Sequence, residues 1–81
     1  MQSGEVIREV EQRCRKRGLR LTPTRRRVLE LVLAAGGPVK AYDLLDELKS
    51  EQPGAAPPTI YRALDFLLEN HFIHRLESLN A

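Results

Sequence analysis

The sequence predicts one mainly helical domain over residues 1–81, closed by a short β wing. Three observations carry this expectation. Apolar residues recur at helical spacing in four separate segments. Thr-Pro, Pro-Pro and Gly-Gly pairs punctuate the chain between them. After the fourth segment the pattern changes to strict alternation, the period of a strand.

The first helix is expected to start from Ser3 as its cap and to stop at Gly18. It carries Glu5, Val6, Ile7, Val10 and Cys14, with acid early and Arg15, Lys16 and Arg17 late, as the helix dipole favours. Cys14, four residues after Val10, reads as a small buried apolar group. Thr22-Pro23 opens the second helix with a capping hydroxyl and a proline at the first helical position. Val28, Leu29, Leu31, Val32 and Ala35 form its apolar side, and Gly36-Gly37 ends it. Its first turn holds Arg25, Arg26 and Arg27. Cations there oppose the dipole by roughly 0.3–1 kcal/mol each when close and unscreened. An anion at that terminus, such as a DNA phosphate, would turn the penalty into a gain through free N–H groups and guanidinium groups.

Pro38-Val39 leads to a third helix over about 41–49, with Leu44, Leu45 and Leu48 inward and Asp43, Asp46, Glu47 and Lys49 outward. Residues 50–58, SEQPGAAPP, read as a turn-rich loop. The fourth helix, about 58–69, begins on Pro57-Pro58, where a missing N–H costs little. Ile60, Ala63, Leu64, Leu67 and Leu68 make its apolar stripe; Thr59, Tyr61, Arg62, Asp65 and Glu69 face the other way. Asn70 suits a left-handed cap. Residues 72–77, FIHRLE, then alternate as a strand, which implies a hairpin with a short or missing second half. Three helices, a recognition-type helix and a strand make a winged helix-turn-helix.

At 81 residues the chain buries only about 60% of its unfolded surface, so its core is thin. No apolar run approaches the roughly 18 residues of a membrane span, and no secretory signal opens the chain. A single cysteine offers no disulfide framework, which points to the cytosol. Phosphate-cradling glycines, paired-cysteine zinc spacing and a nucleophilic triad are all missing, so an enzyme is not expected. The charge is lopsided. Residues 1–27 hold nine basic and three acidic side chains, net +6; residues 28–81 hold four and eight, net −4. A basic end on a nearly neutral chain fits a nucleic-acid binder. Two hydroxyls and an arginine early in the fourth helix suit phosphates and base edges in a major groove. The plainer alternatives are a solvated basic face and an ordinary surface helix.

RLTPTRRRVLELV (20–32), AYDLLDELK (41–49) and PPTIYRALDFLLE (57–69) together resemble the DNA-binding half of the ferric uptake regulator family. With FIHRLESLNA (72–81), the likeness is strongest to its zinc-uptake-regulating branch. The resemblance implies a zinc-responsive bacterial, cytoplasmic transcriptional repressor that meets double-stranded operator DNA as a homodimer. It implies that the C-terminal dimerisation and metal-binding domain is absent from this chain, which alone would be monomeric or weakly associating and free of metal. It implies base contacts by Tyr42 and Arg62 and backbone contacts by Arg20, Arg25, Thr59 and Tyr61. For Tyr42 the alternative is a ring packed beside Leu45. His74 matches a ligand of the regulatory zinc, with the remaining ligands supplied by the absent domain. Two positions depart from the family pattern. His71 stands where glycine is frequent, so Asn70 or His71 must take the cap; Lys40 replaces a small hydroxyl residue. A sensor of another metal or of peroxide, and a winged helix used as a protein-interaction module, remain as alternatives.

Overall fold

The computed structural model describes residues 3–36 and 39–73. Four helices follow in order: α1 (Ser3–Arg17), α2 (Pro23–Ala35), α3 (Ala41–Glu51) and α4 (Pro57–Glu69). Ser3 is the first helical residue of α1, not the residue ahead of it. At the other end Gly18 takes a left-handed φ of 69°. Its N–H donates to the Arg15 carbonyl (3.3 Å), and the Leu19 N–H donates to that of Cys14 (2.8 Å), a Schellman closure.

α2 opens as its sequence demands. Thr22 is extended, and its hydroxyl accepts the Arg25 N–H at 3.2 Å. Pro23 sits in the first turn, and Gly36 closes the helix with φ 68°. α3 outruns its expected end by two residues. The Ser50 hydroxyl donates to the Glu47 carbonyl at 2.7 Å, and the Glu51 carboxylate is held by Arg27 of α2. The predicted loop 50–58 therefore shrinks to 52–56, because the prolines at 57 and 58 belong to α4.

α2 is the central element and packs against the other three helices, while α4 rests on both α2 and α3. Val28, Leu29, Leu48, Ile60, Leu64 and Leu67 are fully buried between them. Burying each side chain of this size contributes about 1.5–3 kcal/mol, so these few positions carry much of a thin core. Cys14 is sealed among them, and burial pushes its thiol pKa up, as suits an apolar filler. Ala41, Ala55 and Ile73 join this core. Ala35 does not: it lies exposed at the end of α2.

The left-handed step that closes α4 falls on His71, not on the cap residue Asn70. Asn70 keeps φ −95° and ψ 8°, while His71 adopts φ 60°. The Asn70 amide donates to the Phe66 carbonyl at 2.8 Å, which holds that residue against the helix and shifts the left-handed step one place on. The N–H groups of His71 and Phe72 then close onto the carbonyls of Leu68 (3.1 Å) and Leu67 (2.9 Å). Among the described residues there is no strand. Phe72 and Ile73 spend their N–H groups on the helix end instead of a ladder. The rest of the predicted strand, with any hairpin partner, lies outside the described residues.

Candidate nucleic-acid interface

The first turn of α4 is poor in backbone donors. Pro57 and Pro58 have no N–H, and the N–H groups of Thr59 and Ile60 both reach the Ala56 carbonyl, at 2.9 and 3.4 Å. The Thr59 hydroxyl accepts the Ala56 N–H at 3.4 Å and so helps fix the helix start. Recognition by α4 must therefore come from side chains. Thr59, Arg62 and Phe66 follow one another at three- and four-residue spacing and share one stripe. Arg62 is exposed, Tyr61 is 43% exposed and Thr59 is half-buried. Tyr42, second residue of α3, is 72% exposed, which excludes the ring packed beside Leu45.

The three arginines opening α2 have different surroundings. Arg27 donates through Nε and Nη2 to Glu51 (2.8 and 2.7 Å) and through Nη1 to Glu30 (3.1 Å). These hydrogen bonds raise the Arg27 pKa and hold the Glu51 carboxyl below its usual range. Arg26 lies 3.8 Å from Glu11 and 3.7 Å from Glu30. Carboxylates of the chain itself thus answer the dipole penalty at these two positions, with no external anion needed. The N–H half of the expected anion site is also largely spent, since Thr22 accepts from both Arg25 and Arg26.

Arg25 alone of the three has no carboxylate partner among the described residues. Its guanidinium carbon lies 3.9 Å from the centroid of Phe66 on α4, and its Nη1 donates to the Arg20 carbonyl at 2.9 Å. Arg20 is itself exposed. The structure thus brings Arg20 and Arg25 to the Phe66 side of α4, the side that carries Arg62 and Thr59. Sequence reading missed Phe66, which fell between the apolar stripe and the polar face. The signal was present: an aromatic residue four places after an exposed arginine, at the edge of the stripe.

Among the described residues no group of three or more His, Cys, Asp or Glu side chains can hold a metal ion. Cys14 is sealed in the core and His71 is exposed at the end of α4. The described residues thus do not fit a zinc site of their own. His74 lies outside them.

The sequence model of the ferric uptake regulator family matches residues 16–80. The zinc uptake regulation proteins of Escherichia coli (strain K12) and Shigella flexneri are each 51% identical over 77 residues, 95% of this chain and 45% of theirs. A zinc uptake regulator solved in complex with zinc and DNA superposes with a TM-score of 0.89 at 49% identity, covering 99% of this chain and 53% of that one. Holo XcZur superposes with a TM-score of 0.76 at 59% identity, over 93% of this chain and 51% of that one. The chain thus spans about half the length of the relatives it matches.

Proposed function

The chain belongs to the ferric uptake regulator family, and from that premise we propose that it is the DNA-binding module of a zinc-responsive transcriptional repressor. One observation carries the reading. Of three arginines crowding one helix start, two are neutralised internally, and the third keeps its charge and lies on the helix that bears Arg62. Set against the helix dipole, that third cation is unfavourable for the helix start itself, and its contact with Phe66 orders it without cancelling its charge.

In this reading α4 enters the major groove of operator DNA. Arg62 meets a guanine edge through its planar fork, and Tyr42 supplies a second base contact from α3. Arg20, Arg25, Thr59 and Tyr61 hold phosphates and set the register. Zinc is carried over from the relative solved with zinc and DNA. In the longer protein His74 serves as one ligand, and the other ligands come from residues outside this chain. Dimerisation, a cytoplasmic location and a non-enzymatic action complete the proposal; no helix among the described residues is long and apolar enough to cross a membrane.

Binding to a mixed-sequence duplex across a salt series tests the reading. Each phosphate contact should contribute about 0.9 to the slope of log affinity against log salt, and Arg25→Gln should lower the slope by about that amount. Salt-independent or undetectable binding would leave the protein-interaction module as the better account.

A further inference from the structure

Phe66 is not itself one of the predicted DNA contacts, yet it is the surface on which the Arg25 guanidinium lies. We infer that Phe66 is a positioning residue for DNA binding, its ring serving as the platform that holds Arg25 in place to receive a backbone phosphate. The inference rests on the proposed DNA-binding function and adds a residue that need not meet DNA itself.

The guanidinium carbon of Arg25 sits 3.9 Å from the ring centroid, well inside the range of a cation–π contact. Stacking uses the face of the guanidinium and leaves its N–H edge available. Nη1 is anchored to the Arg20 carbonyl, and among the described residues the other N–H groups have no hydrogen-bond partner, which leaves them for an acceptor. A carboxylate could hold the side chain just as firmly, as Glu51 holds Arg27, but it would cancel the charge that a phosphate needs. An aromatic ring orders an arginine without neutralising it. The rotamer entropy is then lost on folding and not on binding.

The ring has an aromatic neighbour of its own. Phe72 lies 6.1 Å away, centroid to centroid, at 56°. Arg17 stands 5.8 Å from Phe72 and donates from Nη1 to the Asn70 carbonyl at 3.4 Å. The row Arg25, Phe66, Phe72, Arg17 links the beginning of α2, the end of α4 and the end of α1.

Fluorescence anisotropy of this chain on a mixed-sequence duplex, over a salt series, tests the inference through Phe66→Leu, Phe66→Tyr, Arg25→Gln and the double variant. Phe66→Leu should weaken binding roughly twofold to thirtyfold. It should also lower the salt slope toward that of Arg25→Gln, by up to about 0.9. Phe66→Tyr should restore both, and Phe66→Leu added to Arg25→Gln should cost little more. A residue that only stabilised the fold would lower the melting temperature and leave the slope alone. An independent reading comes from NMR of the unbound protein, where the ring current of Phe66 should move the Arg25 side-chain protons upfield. If Arg25→Gln lowers the slope while Phe66→Leu does not, or if those protons resonate at random-coil positions, the platform is wrong and the DNA reading stands. If wild-type binding shows no salt dependence, both fall together.

Discussion

Arg25, Arg26 and Arg27 occupy adjacent positions and meet different neighbours. Arg27 is tied to Glu51 across the α2–α3 contact, and that pair has a pH signature. The Glu51 carboxyl is held below its ordinary value of 4.5, first by the hydrogen bonds from Arg27 and then by its charge. A group whose folded pKa lies below its unfolded one contributes stability that is complete above the unfolded value and is lost as pH falls through the folded one. Urea midpoints measured between about pH 2 and 6 should therefore fall less steeply for Glu51→Gln than for wild type. Parallel curves would mean the pair is too well solvated to matter, as exposed pairs often are. Arg62 makes the opposite case, an exposed cation with no carboxylate partner among the described residues. Arg62→Ala should cost about 1–3 kcal/mol on a selected operator and little on random duplex. Equal losses on the two would reduce Arg62 to a phosphate contact.

At the scale of elements, the helix ends are where single changes should tell. The Thr22 hydroxyl satisfies the Arg25 N–H and thereby fixes both the start of α2 and the backbone that carries the Phe66 contact. Thr22→Ala should cost about 1 kcal/mol of stability by chemical denaturation. The end of α4 offers the reverse. His71 occupies a left-handed conformation that a Cβ resists. His71→Gly should stabilise the chain by up to about 1 kcal/mol, since glycine meets no such penalty. For a domain this size that is a rise of roughly 4–8 °C in melting temperature. An unchanged or lower melting temperature would show that the imidazole earns its position through contacts of its own.

For the whole molecule the decisive comparison is between this chain and a longer protein that contains it. One helix-turn-helix module covers one half-site. Joining two modules raises affinity through effective concentration alone, by up to about 10²–10⁴. The 81-residue chain should bind an operator weakly, and comparable affinities for the two lengths would contradict a dimeric mode of binding. Zinc belongs to the same comparison. Chelator should leave the folding and DNA binding of this chain unchanged. In the longer protein His74→Ala should blunt zinc-dependent binding, and full zinc sensitivity in that variant would remove His74 from the switch.

The sequence by itself determined what periodicity and local chemistry can carry. Four helices were legible from their apolar spacing, and the start of α2 from Thr22-Pro23, because a cap needs only the residues beside it. The stripe from Ile60 to Leu67 named the buried face of α4, and by difference its exposed one. What only the tertiary structure decided was which groups meet across elements. Glu30, three residues on, was a local partner for Arg27, but the carboxylate of Glu51 arrives from 24 residues away, and the ring of Phe66 comes to Arg25 from another helix. The two extra residues of α3 and the burial of Ala55 follow from the same cause. Each is settled by a partner on another element, which no reading of the neighbouring residues supplies.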